Sequence, residues 1–534
     1  MIKTPNKKYI LAIDLGTSGP KVCIISTDFD VVGTEFEPID LKLFDGGGAE
    51  QDPNQWWRAI KTATKRLISN GFVHVEDIEA ISVTAQWSGT VAVDEQGKAL
   101  MDSIIWMDSR GASEIERITD GIVKIEGYSI TKIFSWMNIT GGAPGHSGKD
   151  PIAHILYIKK EKPEVYKQTY KFLEPKDYVN LILTGEFVST PETMCLHWVM
   201  DNRDINNIEY HPKLLKWTGI ERDKLPDLAK PIDIIGTLKK EIAEQLGLKV
   251  GIKVFGGTAD VQAAAIGTGA VRDYEAGLCF GTSSFLTCHI PHKATDVFHN
   301  MASLPSALEG KYFVANEQET AAVCLQFLKN NVFFAKDILD TDAADEDIIE
   351  KLTELAATIS PGCEGLIFTP WLYGERTPIE DHNVRGGWHN LSLHMTRAHM
   401  IRAVMEGVAF NARWLLKYVE TSKFVPSAYR PFKFINFIGG GAKSALWCQV
   451  LADILQRPIQ QINEPRHANA KGVAALAMIG LGYIDVEGIA EKTIIDKIYK
   501  PNKALKGLYD KMFEEFINIY KSNKGIYKRL NKKK

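Results

Sequence analysis

Of 534 residues only seven are cysteine, and none stands at the paired spacing of a zinc site or a small disulfide framework. Several lie inside apolar runs, which predicts reduced thiols and a cytoplasmic protein. Long hydrophobic runs are missing too: the longest, around residues 472–484, is too short to cross a bilayer. Excess charge of either sign is absent. The 63 Lys and Arg nearly balance the 66 Asp and Glu, a formal net charge of −3, so no nucleic acid or other polyanion is expected as a partner. The isolated histidines, His197 and His211 among them, lack metal-ligand spacing. Residues 1–8 are polar and do not read as a signal peptide, and the basic residues 528–534 read as a solvated terminus. What remains is length, which is too great for one core and predicts two or more domains.

What is present is organised around Ile10-Leu11-Ala12-Ile13-Asp14-Leu15-Gly16-Thr17-Ser18-Gly19-Pro20-Lys21-Val22-Cys23-Ile24-Ile25. Two apolar strands are joined by a glycine-bearing turn with one carboxylate, two hydroxyls and one amine. Gly16 and Gly19 let the backbone approach a ligand, so that main-chain amides can face an anion. Thr17, Ser18 and Lys21 add donors. Asp14 ends a buried strand, where a carboxylate is costly unless paired or bound to a metal. A phosphate with its magnesium would satisfy all of these groups, and an ordinary polar hairpin is the plain alternative.

A second copy favours the phosphate. Residues 277–288 repeat the pattern of apolar strand, Gly281-Thr282-Ser283 turn and apolar strand. The duplication predicts two related lobes that clamp one nucleotide. Only the first copy has an acidic residue before its turn, which places the metal towards the first lobe. Between the copies, the strand pattern 250–255 runs into Gly256-Gly257-Thr258-Ala259-Asp260 and an apolar helix. Phosphoryl transfer to an alcohol needs a carboxylate to take the hydroxyl proton, and Asp260 is placed for it. A helix N-cap fits the same spacing equally well.

The turn at residues 14–21 resembles the first phosphate motif of the sugar kinase, Hsp70 and actin superfamily, and the chain from about residue 8 to 485 resembles the FGGY carbohydrate kinases, xylulose kinases most closely. The resemblance implies an α/β fold of two actin-like (ribonuclease H-like) lobes, expected at residues 1–252 and 253–534, with the nucleotide and sugar in the cleft between them. It implies ATP and Mg²⁺, a small-molecule sugar and Asp260 as catalytic base; a homodimer is compatible with it. Asp14 would position the metal, and Gly16, Thr17, Ser18, Lys21, Gly281 and Thr282 would hold phosphates. The strand, triple glycine and helix start at residues 434–453 match the superfamily's adenosine motif, with Gly439, Gly440, Gly441 and Ser444 as contacts. The apolar helix at 470–480 is expected to close the second lobe's core.

The sugar pocket is expected at a strand tip, Gln86-Trp87-Ser88-Gly89, and at Trp106 and Asp108 of the Trp-x-Asp-x-Arg segment. Trp106 can stack on a sugar face, while Asp108 and Arg110 can bond hydroxyls or simply hold each other. In xylulose kinases the tip carries Gln-Met-His-Gly; here Trp87 and Ser88 replace the methionine and histidine, which leaves the sugar open. The Gly374-Glu375-Arg376-Thr377-Pro378 segment is very similar to that of xylulose and related kinases. The family's first signature is degenerate around 153–158, and Asn390 stands where the second usually has glycine. Residues 172–179 and 183–186 match the family and read as scaffold, 121–150 as largely irregular, 317–328 as helix, and 336–357 as an acidic surface helix. A silent nucleotide or sugar sensor, or a chaperone-like relative, would share the fold without the reaction.

Overall fold

The computed structural model describes residues 7–531 apart from 126, 336 and 338–347. Two sheets carry the molecule. The first has six strands in the order Ile234–Thr237, Lys253–Ala259, Ile78–Ala85, Tyr9–Gly16, Gly19–Ser26, Val31–Phe36. The second runs Thr295–Asp296, Met301–Pro305, Tyr312–Ala315, Ser284–Ile290, Ala276–Phe280, Ile435–Gly439, Ile459–Ile462, Ile495–Tyr499. In each, an antiparallel hairpin carries the turn, its first strand pairs in parallel with a later strand, and that strand pairs in parallel with another. The duplicated turns therefore sit at the same point of two like-ordered sheets.

The strand Tyr9–Gly16 is apolar on both faces because both faces are covered. Leu11, Ile13 and Leu15 share a core with Trp56, Ile60 and Leu67 of helix Pro53–Ser69, which Asp52 caps and Pro53 opens. Ile10 and Ala12 share another with Val473, Ala474 and Ala477 of helix Ala468–Gly480. That helix therefore packs on the first sheet and not in the second lobe's core as its position in the chain led one to expect. Its small residues explain the choice: a Cβ on Gly472 would overlap the carbonyl of Ala263, and one on Gly267 that of Ala468. Helices Asp260–Gly267 and Ala468–Gly480 thus cross with their backbones touching.

The expected boundary at 252/253 shifts as well. Lys253–Ala259 is hydrogen-bonded in the first sheet between Ile78–Ala85 and Ile234–Thr237, so the first lobe continues into helix Asp260–Gly267. Residues 121–150 hold a short hairpin and helix Ile130–Thr140. The helix expected from 317 begins only at Val323, because Gln318 pairs with Ser284 and Glu317 and Glu319 with Arg376. Of the acidic segment 336–357, residues 336 and 338–347 lie outside the described residues and Ile348–Ala357 is helical.

Candidate functional site

Three parallel strands of the first sheet end side by side, which brings Asp14, Gln86 and Asp260 to one rim. Register places Asp14 opposite both Thr84 and Lys21. Lys21 Nζ lies 3.6 Å from Asp14 Oδ2 and donates to the carbonyl of Arg466 at 3.0 Å. Asn469 Nδ2 approaches Asp14 Oδ1 at 3.4 Å. The two contacts to the Asp14 carboxylate are long, whereas the bond from Lys21 to the Arg466 carbonyl has ordinary length. Gly19 has a φ of +146°, and a Cβ there would overlap the carbonyl of Glu37, so only glycine closes this turn against the neighbouring strand. Ser18 is exposed at the tip.

Thr17 joins the turn to the expected sugar pocket. It donates to Gln86 Oε1 at 3.2 Å and accepts from Trp106 Nε1 at 3.0 Å. Gln86 Nε2 donates to Gln51 Oε1 at 2.7 Å, and Gln51 Nε2 returns to the Thr17 carbonyl at 2.8 Å. Trp87 anchors its indole N–H on the Thr193 carbonyl at 2.8 Å. Ser88, at a φ of +66°, donates to the Lys149 carbonyl at 2.9 Å.

Asp108 stands apart from this group. Its carboxylate accepts the Ala49 amide at 2.8 Å, the Arg110 amide at 2.9 Å and the Arg110 guanidinium at 2.6 Å, and Glu50 shares that guanidinium. The side chain is 1% exposed, and this arrangement is that of an Asp–Arg strut.

Asp260 opens helix Asp260–Gly267 but does not cap it: Ala259 holds the cap position without a side-chain bond, and Asp260 Oδ1 accepts the Val261 amide at 2.8 Å. Burial, followed by the nearby Asp14 carboxylate and more weakly by Glu317, pushes the Asp260 carboxyl up to about 7, against the pull of the Val261 and Trp87 amides.

On the second lobe, Gly439 lies directly opposite Phe280, the residue before Gly281. Gly439 has a φ of +88°, and a Cβ there would stand 2.5 Å from the Phe280 carbonyl; one on Gly441 would stand 2.9 Å from Phe280 Cβ. Those two glycines seat the strand end on the turn. Gly440 and Gly281 face open space, with nothing nearer than 4.0 Å and 3.8 Å. Ser444 caps helix Ala445–Leu455 by accepting the Trp447 amide at 3.2 Å.

Residues 9–267 match the N-terminal domain of the FGGY family of carbohydrate kinases, and residues 276–481 match its C-terminal domain. The chain is an FGGY carbohydrate kinase. It is 28% identical over 535 residues to xylulose kinase of Staphylococcus epidermidis, covering 97% of this chain and 98% of that one. It is 27% identical over 479 residues to gluconokinase of Bacillus subtilis, covering 89% and 88%. The structure of ligand-bound xylulose kinase from Lactobacillus acidophilus has the same two-lobed actin-like fold, with a TM-score of 0.83 at 24% identity over 98% of this chain and 100% of that one. The kinase is thus a phosphotransferase whose substrates are ATP and a small-molecule sugar. Among the described residues no helix is long and apolar enough to cross a membrane.

Several groups at the site of this kinase were not legible beforehand. Gln51 sits at the centre of the Thr17–Gln86 network, and its only signal is the Glu-Gln-Asp-Pro segment that precedes the first long helix. Arg466 and Asn469 reach Lys21 and Asp14 from more than 440 residues away, and nothing local announces them. Within Gly-Glu-Arg-Thr-Pro, Glu375 and Arg376 do not pair through their side chains. Glu375 accepts the Glu319 amide at 3.0 Å and Asn411 Nδ2 at 2.6 Å, while Arg376 binds Glu317 and Glu319. Among the described residues no group of three or more acidic, histidine or cysteine side chains is arranged to hold a metal ion. An octahedral cation that takes most of its ligands from water and phosphate needs only one or two carboxylates, and Asp14 is of the kind that would hold magnesium in that way.

Proposed function

We propose that this kinase transfers the γ-phosphoryl group of ATP to a hydroxyl of a ketopentose, D-xylulose first (D-xylulose + ATP to D-xylulose 5-phosphate + ADP), with Asp260 as general base. The observation that carries the reading is Asp260 itself, at the rim shared with Asp14 and the 86–88 tip, with its carboxyl raised to about 7. A base titrating near neutrality combines a useful ionised fraction with enough proton affinity to accept the hydroxyl proton. Gly16, Thr17, Lys21, Gly281 and Thr282 would cradle the β- and γ-phosphates, and the bare backbone at Gly440 would take the adenosine. Asp14 would hold magnesium, which when bound screens the phosphate charge. Gln86, Trp87, Ser88 and Trp106 would line the sugar pocket, with Trp106 fixed edge-on by Thr17. Asp108 would act one layer behind them, through Arg110 and the Ala49 amide.

A second substrate class has its own support. Ser88 replaces a histidine and bonds the backbone of Lys149, whose ammonium stands 3.9 Å from Glu319 across the cleft. The loss of that histidine, together with the similarity to B. subtilis gluconokinase, supports an aldonic acid such as gluconate. ADP release with ATP and magnesium over D-xylulose, L-xylulose, gluconate, other ketoses and polyols separates the readings. Strongest turnover with D-xylulose is expected. Turnover with gluconate alone transfers the assignment to the acid, and bound ATP with no sugar-stimulated turnover removes the enzymatic reading.

A further inference from the structure

Beneath the sugar-side tip and the base lies a buried polar cluster that takes no part in the transfer itself. Helix Pro175–Thr184 opens with Lys176, Asp177 and Asn180, each at most 1% exposed. Lysine is seldom buried so fully unless its ammonium is committed to partners. Lys176 Nζ donates to Asp177 Oδ1 at 2.5 Å and to the Gly256 carbonyl at 3.0 Å. Asn180 Nδ2 donates to the same carbonyl at 3.0 Å.

Gly256 is where the strand Lys253–Ala259 loses step with Ile78–Ala85. Phe255 pairs with Ser82 but Thr258 pairs with Thr84, so one strand carries an extra residue, a bulge. Gly257 has a φ of +66°, and a Cβ there would overlap the Val83 carbonyl. The Gly256 and Gly257 amides donate away from the ladder, to Asp233 and Pro231 at 3.0 Å each. The Gly256 carbonyl turns instead to the helix. Side chains alternate along a strand, so a slip of one residue would send everything beyond the bulge to the wrong face. Asp260 lies four residues beyond Gly256.

The same helix start also grips the tip. Glu174 Oε2 accepts the Gly89 amide at 3.0 Å, and a Cβ on Gly89 would overlap the Pro175 ring. One rigid corner therefore fixes the base-bearing segment and the 86–89 tip relative to each other.

We propose that Lys176 and Asn180 are positioning residues: by holding the Gly256 carbonyl they keep the bulge in register and so set where the Asp260 carboxylate stands against the sugar hydroxyl. The inference rests on Asp260 as the base. Asn180→Asp keeps the size and sets an acceptor against the Gly256 carbonyl; Lys176→Met keeps the length and removes both bonds. In the full chain, each is expected to lower sugar-dependent kcat about 30- to 100-fold, since a misplacement near 1 Å costs that much. KM for ATP and sugar-independent ADP release should stay within about twofold, and the acidic limb of the pH–rate profile should shift. Folded variants with kcat within about twofold of the parent and an unmoved limb would reduce the cluster to plain support and overturn the proposal. Should either variant fail to fold, Asn180→Ala, which leaves Lys176 on the carbonyl, decides by the same readouts with an expected fall of about fivefold. Asp260→Asn is measured alongside. If it keeps turnover, the base reading falls and the positioning role with it; if it is inactive while the other variants turn over normally, only the positioning role falls.

Discussion

In the first lobe the hairpin sets Asp14 opposite Lys21, and Thr17 ties its turn to Gln86, Gln51 and Trp106. In the second lobe the matching hairpin sets Phe280 opposite Ser284, and its turn is tied by backbone amides, Ala321 and Ala322 donating to the Thr282 and Gly281 carbonyls. The same fold element in the same sheet position thus serves two purposes. One turn is flanked by charge and braced by the Gln51, Gln86 and Trp106 side chains; the other has no charged flank and is braced by Gly439. Duplication supplied the geometry, and the side chains flanking each turn divided the work.

The largest effect should come from the carboxylate that only the first lobe's rim possesses. Asp260→Asn should lower sugar-dependent kcat by about 10³-fold while ATP binding, read by calorimetry, changes little. The same substitution should stabilise the protein at high pH. The Asp260 carboxyl is raised from 3.8 to about 7, so ionising it opposes folding. The gain should be absent below about pH 4, grow from there to about pH 7 and level off above it at on the order of 4 kcal/mol, read as a melting-temperature difference between pH 5 and pH 8. Next is the asymmetry of the turns. Asp14→Asn should cost about 10²-fold in kcat and raise the magnesium requirement, whereas Thr282→Ala should mainly raise KM for ATP, by about fivefold. Equal losses in kcat would show that the two turns share the charge work after all.

The second lobe's glycines offer a sharper cut. Gly439→Ala meets the Phe280 carbonyl in a left-handed conformation and should destabilise by about 2–3 kcal/mol in urea unfolding. Gly440→Ala meets open space, so it should leave stability within about 0.5 kcal/mol and raise KM for ATP instead. Proton abstraction gives a milder lever. With the Asp260 carboxyl near 7, kcat/KM in the sugar should fall towards tenfold per pH unit below that value and flatten above it. A change of preference rather than of rate is expected at the tip. Trp87→Met with Ser88→His should move preference towards D-xylulose by about 5- to 10-fold, and an unchanged sugar profile would take the pair out of the pocket.

Legibility followed the range of the interactions. Continuous apolar runs such as Ile10–Leu15 and the glycine-bearing turns announced themselves locally, because two-sided burial and turn geometry are written in adjacent residues. The Asp108–Arg110 strut was open to two readings, since a carboxylate at a strand end looks alike whether it faces ligand or an amide of residue 49. The destination of helix Ala468–Gly480 could not be read from its own pattern. It is apolar all round, and such a helix carries no face to say which sheet it covers. Residues 172–179 read as scaffold because a buried lysine, Lys176, declares itself only once its carbonyl partner, 80 residues away, is in place.

That long return of the chain bears on how the molecule is made. Much of the layer under the first sheet is built from residues 468–480, so the amino-terminal half lacks part of one wall until that distant segment has left the ribosome. Until then Ile10, Ala12, Cys23 and Ile25 are only partly covered on that side, by residues such as Phe29, Ala263 and Ile266. The nascent first half is thus the stretch that holdase chaperones should recognise.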